Sequence, residues 1–138
     1  MQLDRDIWEE KIKNWKLIWR KDCPFCKLIE EEKKLFIYET KFWEVRYNKY
    51  PYWWIKKHTL VFPKRHIKYT KELNPDELKD LANIHKFMFD FYSWEQYFSF
   101  IRETFSWRSI EHLHYHYMPG NIHWTEFANI LSPSNSPL

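Results

Sequence analysis

Short apolar runs on either side of one long helical stretch predict a domain of mixed helix and strand. Three observations carry that reading. Three β-rich runs end at Glu39, Tyr47 and Pro63; Asn74-Pro75-Asp76-Glu77 opens a helix; and His112-Leu-His114-Tyr-His116 places an imidazole at every second position. That last spacing is cheap to assemble only in an extended strand, because strand side chains alternate between faces. At 138 residues the chain is read as a single domain, 1–138, large enough for a real core.

Residues 4–20, within an extra N-terminal segment 1–20, read as an amphipathic helix with Trp8, Ile12, Trp15 and Trp19 at helical spacing. Such a stripe is a packing surface, against the core or a second subunit. Cys23-Pro24-Phe25-Cys26 forms a tight knuckle, and residues 27–33 add a short helix. Leu35–Glu39 and Phe42–Tyr47 read as two strands joined by a turn near Thr40 and Lys41, and His58–Pro63 as a third, stopped by its proline. Asn74 supplies an N-cap, Pro75 the first helical position and Glu77 the acid of a capping box, so a helix runs from there to about Tyr97. Phe98–Glu103 and Ile110–Met118 are the last two strands. Beyond Gly120 periodicity is lost, and residues 121–138 form an extension whose end, Ser132–Leu138, should fray.

Within the last strand, His112, His114 and His116 share one face, roughly 6.6 Å apart at about 3.3 Å per residue. Leu113, Tyr115 and Tyr117 line the other face, which suits a buried strand. Imidazole is the side chain best suited to nucleophilic, acid–base and metal chemistry near neutral pH. Gly120 is the only glycine. Glycine-rich phosphate loops need several, so side chains must hold any phosphate this chain binds. A net charge of +3 predicts no strong polyanion field, and nucleic acid is not an expected partner. No apolar run is long enough to span a bilayer, and the N-terminus lacks a signal-peptide pattern. Both cysteines lie in the one C-x-x-C clip, so a reduced, cytoplasmic setting is expected.

The clip itself has three readings: half of a zinc site, a redox dithiol, or inert thiols. The histidine surplus and the lack of a βαβ pattern favour metal. By spacing, the further ligands would be His66 and one histidine of the triad.

His112-Leu-His-Tyr-His-Tyr-Met118 resembles the signature of the histidine-triad family, His-φ-His-φ-His-φ-φ with φ apolar. Asn48-Lys-Tyr-Pro-Tyr52 followed by His58-Thr-Leu-Val-Phe-Pro-Lys-Arg-His66 is similar to the matching stretch of the branch that cleaves dinucleoside polyphosphates. Cys23-Pro-Phe-Cys26-Lys-Leu-Ile is similar to the zinc-clip start of many bacterial members. The resemblance spans about residues 21–120. It implies an α+β, histidine-triad-like fold: a five-stranded antiparallel sheet with one long helix packed on it, paired into a homodimer. It also implies a nucleotide substrate and a hydrolase or nucleotidyltransferase working at the α-phosphate. His114 would be the nucleophile that carries a covalent nucleotidyl group, His116 would contact phosphate and leaving group, and His58 would face the phosphate. Asn48 would reach the ribose, and structural zinc would sit on Cys23, Cys26, His66 and His112. Ser109 is the candidate hydroxyl donor to phosphate.

This chain departs from the family pattern in places. Trp107-Arg108-Ser109-Ile110 replaces a Gly-Gln-Ser/Thr run, which makes Arg108 a candidate phosphate clamp. Lys57 replaces a glycine, and the connection from Tyr52 to His58 is longer, which would bring Lys56 and Lys57 to the pocket mouth. Two other functions fit the same residues: a zinc hydrolase with triad histidines as catalytic metal ligands, and a zinc-stabilised nucleotide-binding module without catalysis. His85 and His123 receive no role.

Overall fold

A computed structural model describes residues 23–103 and 110–131. The expected helix 4–20 and the expected frayed tail lie outside these residues. Five strands, β1 (Phe36–Glu39), β2 (Trp43–Tyr47), β3 (Thr59–Pro63), β4 (Tyr97–Ile101) and β5 (Tyr115–Pro119), form one sheet in the order β1-β2-β3-β5-β4. Every neighbouring pair is antiparallel. One long helix, α1 (Pro75–Tyr92), covers one face, and a short helix, α2 (Trp124–Ile130), follows the last strand. This is the expected α+β architecture. No helix among the described residues is long and apolar enough to cross a membrane.

Alternation divides the sheet into two faces. Trp43 and Val45 of β2, Val61 of β3 and Tyr117 of β5 pack with Ile84, Met88 and Tyr92 of α1 as the main core. The intervening residues, Leu60 and Phe62, join Cys23, Phe25 and Ile110 in a second cluster on the opposite face. β3 is buried at all five positions because it is central and covered on both sides.

The start of α1 follows its sequence signal. Asn74 accepts from the Glu77 amide at 2.8 Å, and Glu77 Oε1 accepts from the Asn74 amide at 3.0 Å. The Glu77 carboxylate is buried and also takes two hydrogen bonds from Arg65, at 3.1 and 2.8 Å. Those Arg65 bonds, more than any other influence, hold its carboxyl below the usual range. The Glu77 carbonyl accepts from the Trp43 indole at 2.8 Å, tying the helix start to β2.

Several boundaries differ from expectation. The helix ends at Tyr92 rather than near Tyr97, because Ser93 (φ 35) and Trp94 (φ 67) turn left-handed and β4 begins at Tyr97. Tyr92 secures this end by donating to the Lys57 carbonyl at 2.8 Å. The short helix after the knuckle is a 3-10 segment at Glu30–Leu35, and α2 lies in the stretch past Gly120 where the sequence shows no periodicity. β5 starts at Tyr115 rather than Ile110, so only His116 of the triad lies in the ladder. His112 and His114 precede it, held by the Leu113 amide donating to the Ile67 carbonyl at 2.7 Å. Trp53 (φ 47) and Trp54 (φ 61) are also left-handed. For residues with a Cβ that geometry costs about 1–2 kcal/mol each.

The Arg65–Glu77 contact yields a test. Arg65→Met leaves a buried carboxylate without its cation and should destabilise the fold by about 1–2 kcal/mol, discounted because Arg65 is half exposed. A lowered carboxyl pKa contributes stability above the unfolded value and loses it as pH falls through the folded value. Urea unfolding should therefore separate the two proteins at pH 7, and the gap should close in acid once Glu77 is protonated.

Candidate functional site

The histidines converge on the sheet face turned away from α1. The β3–β5 register pairs Leu60 with His116, and the β4–β5 register pairs Phe100 with His116. The Phe100 ring stacks on His116 at 4.6 Å between centroids, with Tyr52 stacked at 5.5 Å. His58, just before β3, places Nε2 2.9 Å from His116 Nδ1. The backbone amide of Tyr52 donates to His58 Nδ1 at 3.1 Å. That donor assigns the proton of a neutral His58 to Nε2, which then donates to His116 Nδ1. The remaining nitrogen of a neutral His116, Nε2, carries the proton. The Asn48 carboxamide lies 3.3–3.4 Å from the His58 ring nitrogens.

His114 is oriented differently. Its Nδ1 lies 2.8 Å from the backbone carbonyl of His112, so Nδ1–H donates and Nε2 keeps its lone pair. A neutral imidazole held in that tautomer is what nucleophilic attack requires. Phe25 packs edge-on against His114 at 5.2 Å. His114 and His116 line a cleft together with Asn48, Leu60, Ile110 and Phe25. Glu32, Arg46 and Lys49 also line it, so the cleft combines apolar groups with imidazoles and charged side chains.

Behind this cleft sits a separate cluster. One ligand atom each from Cys23, Cys26, His66 and His112 lies within 4.8 Å of the others. Both Cys–His112 separations are 3.5 Å, and Cys26 Sγ is 3.1 Å from His66 Nδ1. A tetrahedral zinc site with Zn–S of about 2.3 Å and Zn–N of about 2.0–2.1 Å has S···N edges near 3.6 Å, so the residues fit a metal. Pro63 supports the fit: His112 Nε2–H donates to its carbonyl at 2.6 Å, which leaves Nδ1 to the cysteines. Burial pushes the Cys23 thiol up to about 11 and the His112 imidazolium down to about 4.

All four metal candidates come together, as do His58, His114, His116 and Asn48. Arg108 and Ser109 lie outside the described residues. The expectation for Lys57 is corrected: its ammonium pairs with Glu95 at 2.8 Å and lies over the Phe91 ring, at the end of α1 rather than in the cleft. His85 meets the Tyr117 hydroxyl at 3.2 Å, and His123 is exposed.

Sequence reasoning missed two residues. Arg46 is buried; it donates to the Pro24 and Phe25 carbonyls at 2.8 and 3.2 Å, pairs with Glu44, and covers the Phe62 ring. It joins the knuckle to β2. Tyr52 was read only as part of a motif, yet its ring stands against both His58 and His116 and its amide donates to His58. The signal for Arg46 was its position two residues before Asn48, on the face opposite Val45.

Comparison with known proteins agrees with this fold. The model of the HIT domain matches residues 30–123, and the chain belongs to that family. No curated protein sequence matches it. Among solved structures it is similar to a HIT family hydrolase from Clostridium thermocellum at 27% identity and a TM-score of 0.59, covering 73% of this chain and 92% of that one. A HIT family hydrolase from Legionella pneumophila Philadelphia 1 shares 25% identity at a TM-score of 0.57, covering 74% and 96%. A hypothetical protein from Leishmania major has the same fold at 19% identity and a TM-score of 0.62, covering 80% and 92%.

A metal at the cysteine–histidine cluster must displace thiol protons. Metal uptake should therefore weaken as pH falls, and Cys26→Ser should lower metal content and melting temperature together. Elemental analysis alongside thermal melts checks both; a metal-free native protein with a Cys23–Cys26 disulfide would overturn the assignment.

Proposed function

We propose that this chain is a nucleotidyl hydrolase or transferase that acts at the α-phosphate of a nucleotide through a covalent intermediate on His114. One observation carries the reading: the 2.8 Å contact between His114 Nδ1 and the His112 carbonyl, which leaves Nε2 as a nucleophile beside a cleft. In the first step the Nε2 lone pair forms an N–P bond while the bond from phosphorus to the leaving group breaks. The leaving group departs with that electron pair. His116, whose Nδ1 accepts from His58, offers Nε2–H to the phosphate or the leaving atom. Water or another acceptor then attacks the phosphorus and gives up a proton to solvent, while the N–P bond breaks and its electron pair returns to His114 Nε2. Dividing one hard displacement into two steps is the advantage of a histidine nucleophile. Imidazole N–H groups facing the phosphate stabilise the charge of both transition states.

Asn48 beside His58 is our candidate for the ribose, with Leu60 and Ile110 under the base. Ser109 and Arg108 remain candidates for the phosphate. We assign zinc to Cys23, Cys26, His66 and His112, where it supplies structural cross-linking. The hydrolase descriptions of the Clostridium and Legionella proteins support hydrolysis as the reaction class. A zinc hydrolase using the triad is disfavoured, since His112 groups with the cysteines and His114 and His116 do not join that cluster. We propose a homodimer, with light scattering as its check.

His114→Ala should abolish turnover and the adduct while the melting temperature is kept. His116→Ala should lose about 10²–10⁴-fold with a poor leaving group and far less with a good one. Quenching labelled substrate without acid and mapping the adduct tests the assignment; an adduct on another residue, or full turnover by His114→Ala, overturns it.

A further inference from the structure

Glu32 and Lys49 line the cleft, and none of the steps above uses them. Glu32 is the only carboxylate among the described residues of that lining. A carboxylate in a cleft that receives an anion calls for a reason, because it repels phosphate. Its position supplies one. His116 meets His58, His58 meets Asn48, Lys49 follows Asn48 in the chain, and the Lys49 ammonium pairs with Glu32. With phosphate at His114 and His116 and ribose at Asn48, the next place along this row is the base.

The pair is held in place. Glu32 comes from the 3-10 segment Glu30–Leu35, whose Leu35 also lines the cleft, and its side chain is only 16% exposed. The Lys49 ammonium lies over the Tyr50 ring at 5.5 Å. Its hydrogen bond to Glu32, ahead of every other influence, raises its pKa, so it stays charged at neutral pH. One bond between them leaves capacity on both, since an ammonium has three donors and a carboxylate about four acceptor positions. A ligand edge that meets the pair finds a donor beside an acceptor.

We propose that the Glu32–Lys49 pair reads the base and selects guanine over adenine. The inference rests on a nucleotide occupying the cleft and names which one. Along one edge guanine presents the O6 acceptor and then the N1–H and N2–H donors. Lys49 donates to O6 while Glu32 accepts from N1–H and N2–H, two charge-assisted bonds to one carboxylate. Adenine reverses both contacts: its N6 amino group meets the ammonium, and its N1 lone pair meets the carboxylate. Leu35, Leu60 and Ile110 are apolar and do not tell one purine from another, so discrimination falls to the pair.

Calorimetry on the full chain with GMP, IMP and AMP tests this. IMP keeps O6 and N1–H but lacks the N2 amino group, so affinity should fall in the order GMP, IMP, AMP, about tenfold at each step. Glu32→Gln should erase the step from GMP to IMP, lowering GMP affinity about tenfold with AMP unchanged. Lys49→Met should weaken GMP and IMP alike and preserve their ratio. A Glu32 that only tethers its segment would instead lower all three affinities equally, together with the melting temperature. That result, or a wild-type protein that binds AMP as well as GMP, overturns the assignment. A GMP preference without an adduct on His114 upholds it while nucleotidyl transfer fails. A protein that binds none of the three rejects the nucleotide reading, and the base assignment with it.

Discussion

The structure depends most on a single side chain, His112, held at three points. Its Nε2–H donates to the Pro63 carbonyl, its Nδ1 faces both cysteines, and its own backbone carbonyl accepts from His114. Position 112 thereby joins the end of β3, the knuckle and the candidate nucleophile. The ring is buried with its imidazolium strongly disfavoured, so it remains neutral with one donor and one acceptor. A protonated ring here would turn a second donor toward the cysteines.

Alternation then distributes work between the faces of the sheet. Val61 and Tyr117 pack against α1, while Leu60 and His116, one residue away on the same two strands, face the cleft. A single-residue slip of β5 against β3 would exchange the core for the chemistry. The buried Thr59–Tyr117 pairing, with Tyr117 packed against α1, makes such a slip costly, so packing on one face sets the positions of polar groups on the other. A rigid α1 completes this arrangement, and its capping box and the Trp43 indole bond determine where it sits.

How much of this was legible in the sequence follows from the range of each interaction. The start of α1 was readable because Asn74, Pro75 and Glu77 act within one turn. The helix end was not: Ser93 and Trp94 turn left-handed without glycine, held by Tyr92 reaching the carbonyl of Lys57 in a distant loop. The period-two histidines correctly implied a shared face, yet His112 and His114 keep that alternation outside the ladder, through Pro63 and Ile67. The grouping of Cys23, Cys26, His66 and His112 came from the family resemblance rather than spacing, which could not choose among the triad histidines. The place of Arg46 in β2 was readable, but not its partners, because backbone carbonyls are not encoded by side-chain identity.

The knuckle has one more consequence. Pro24 and Phe25, the two residues between the cysteines, also line the cleft, and Arg46 grips both of their carbonyls. The clip therefore forms a wall of the cleft as well as half of the candidate metal site. If binding in the cleft requires that wall to be in place, metal and cleft occupant stabilise the same conformation and must raise each other's affinity by an equal factor. A metal held by the four residues would then bind more tightly when the cleft is filled, though no atom of the occupant would touch it.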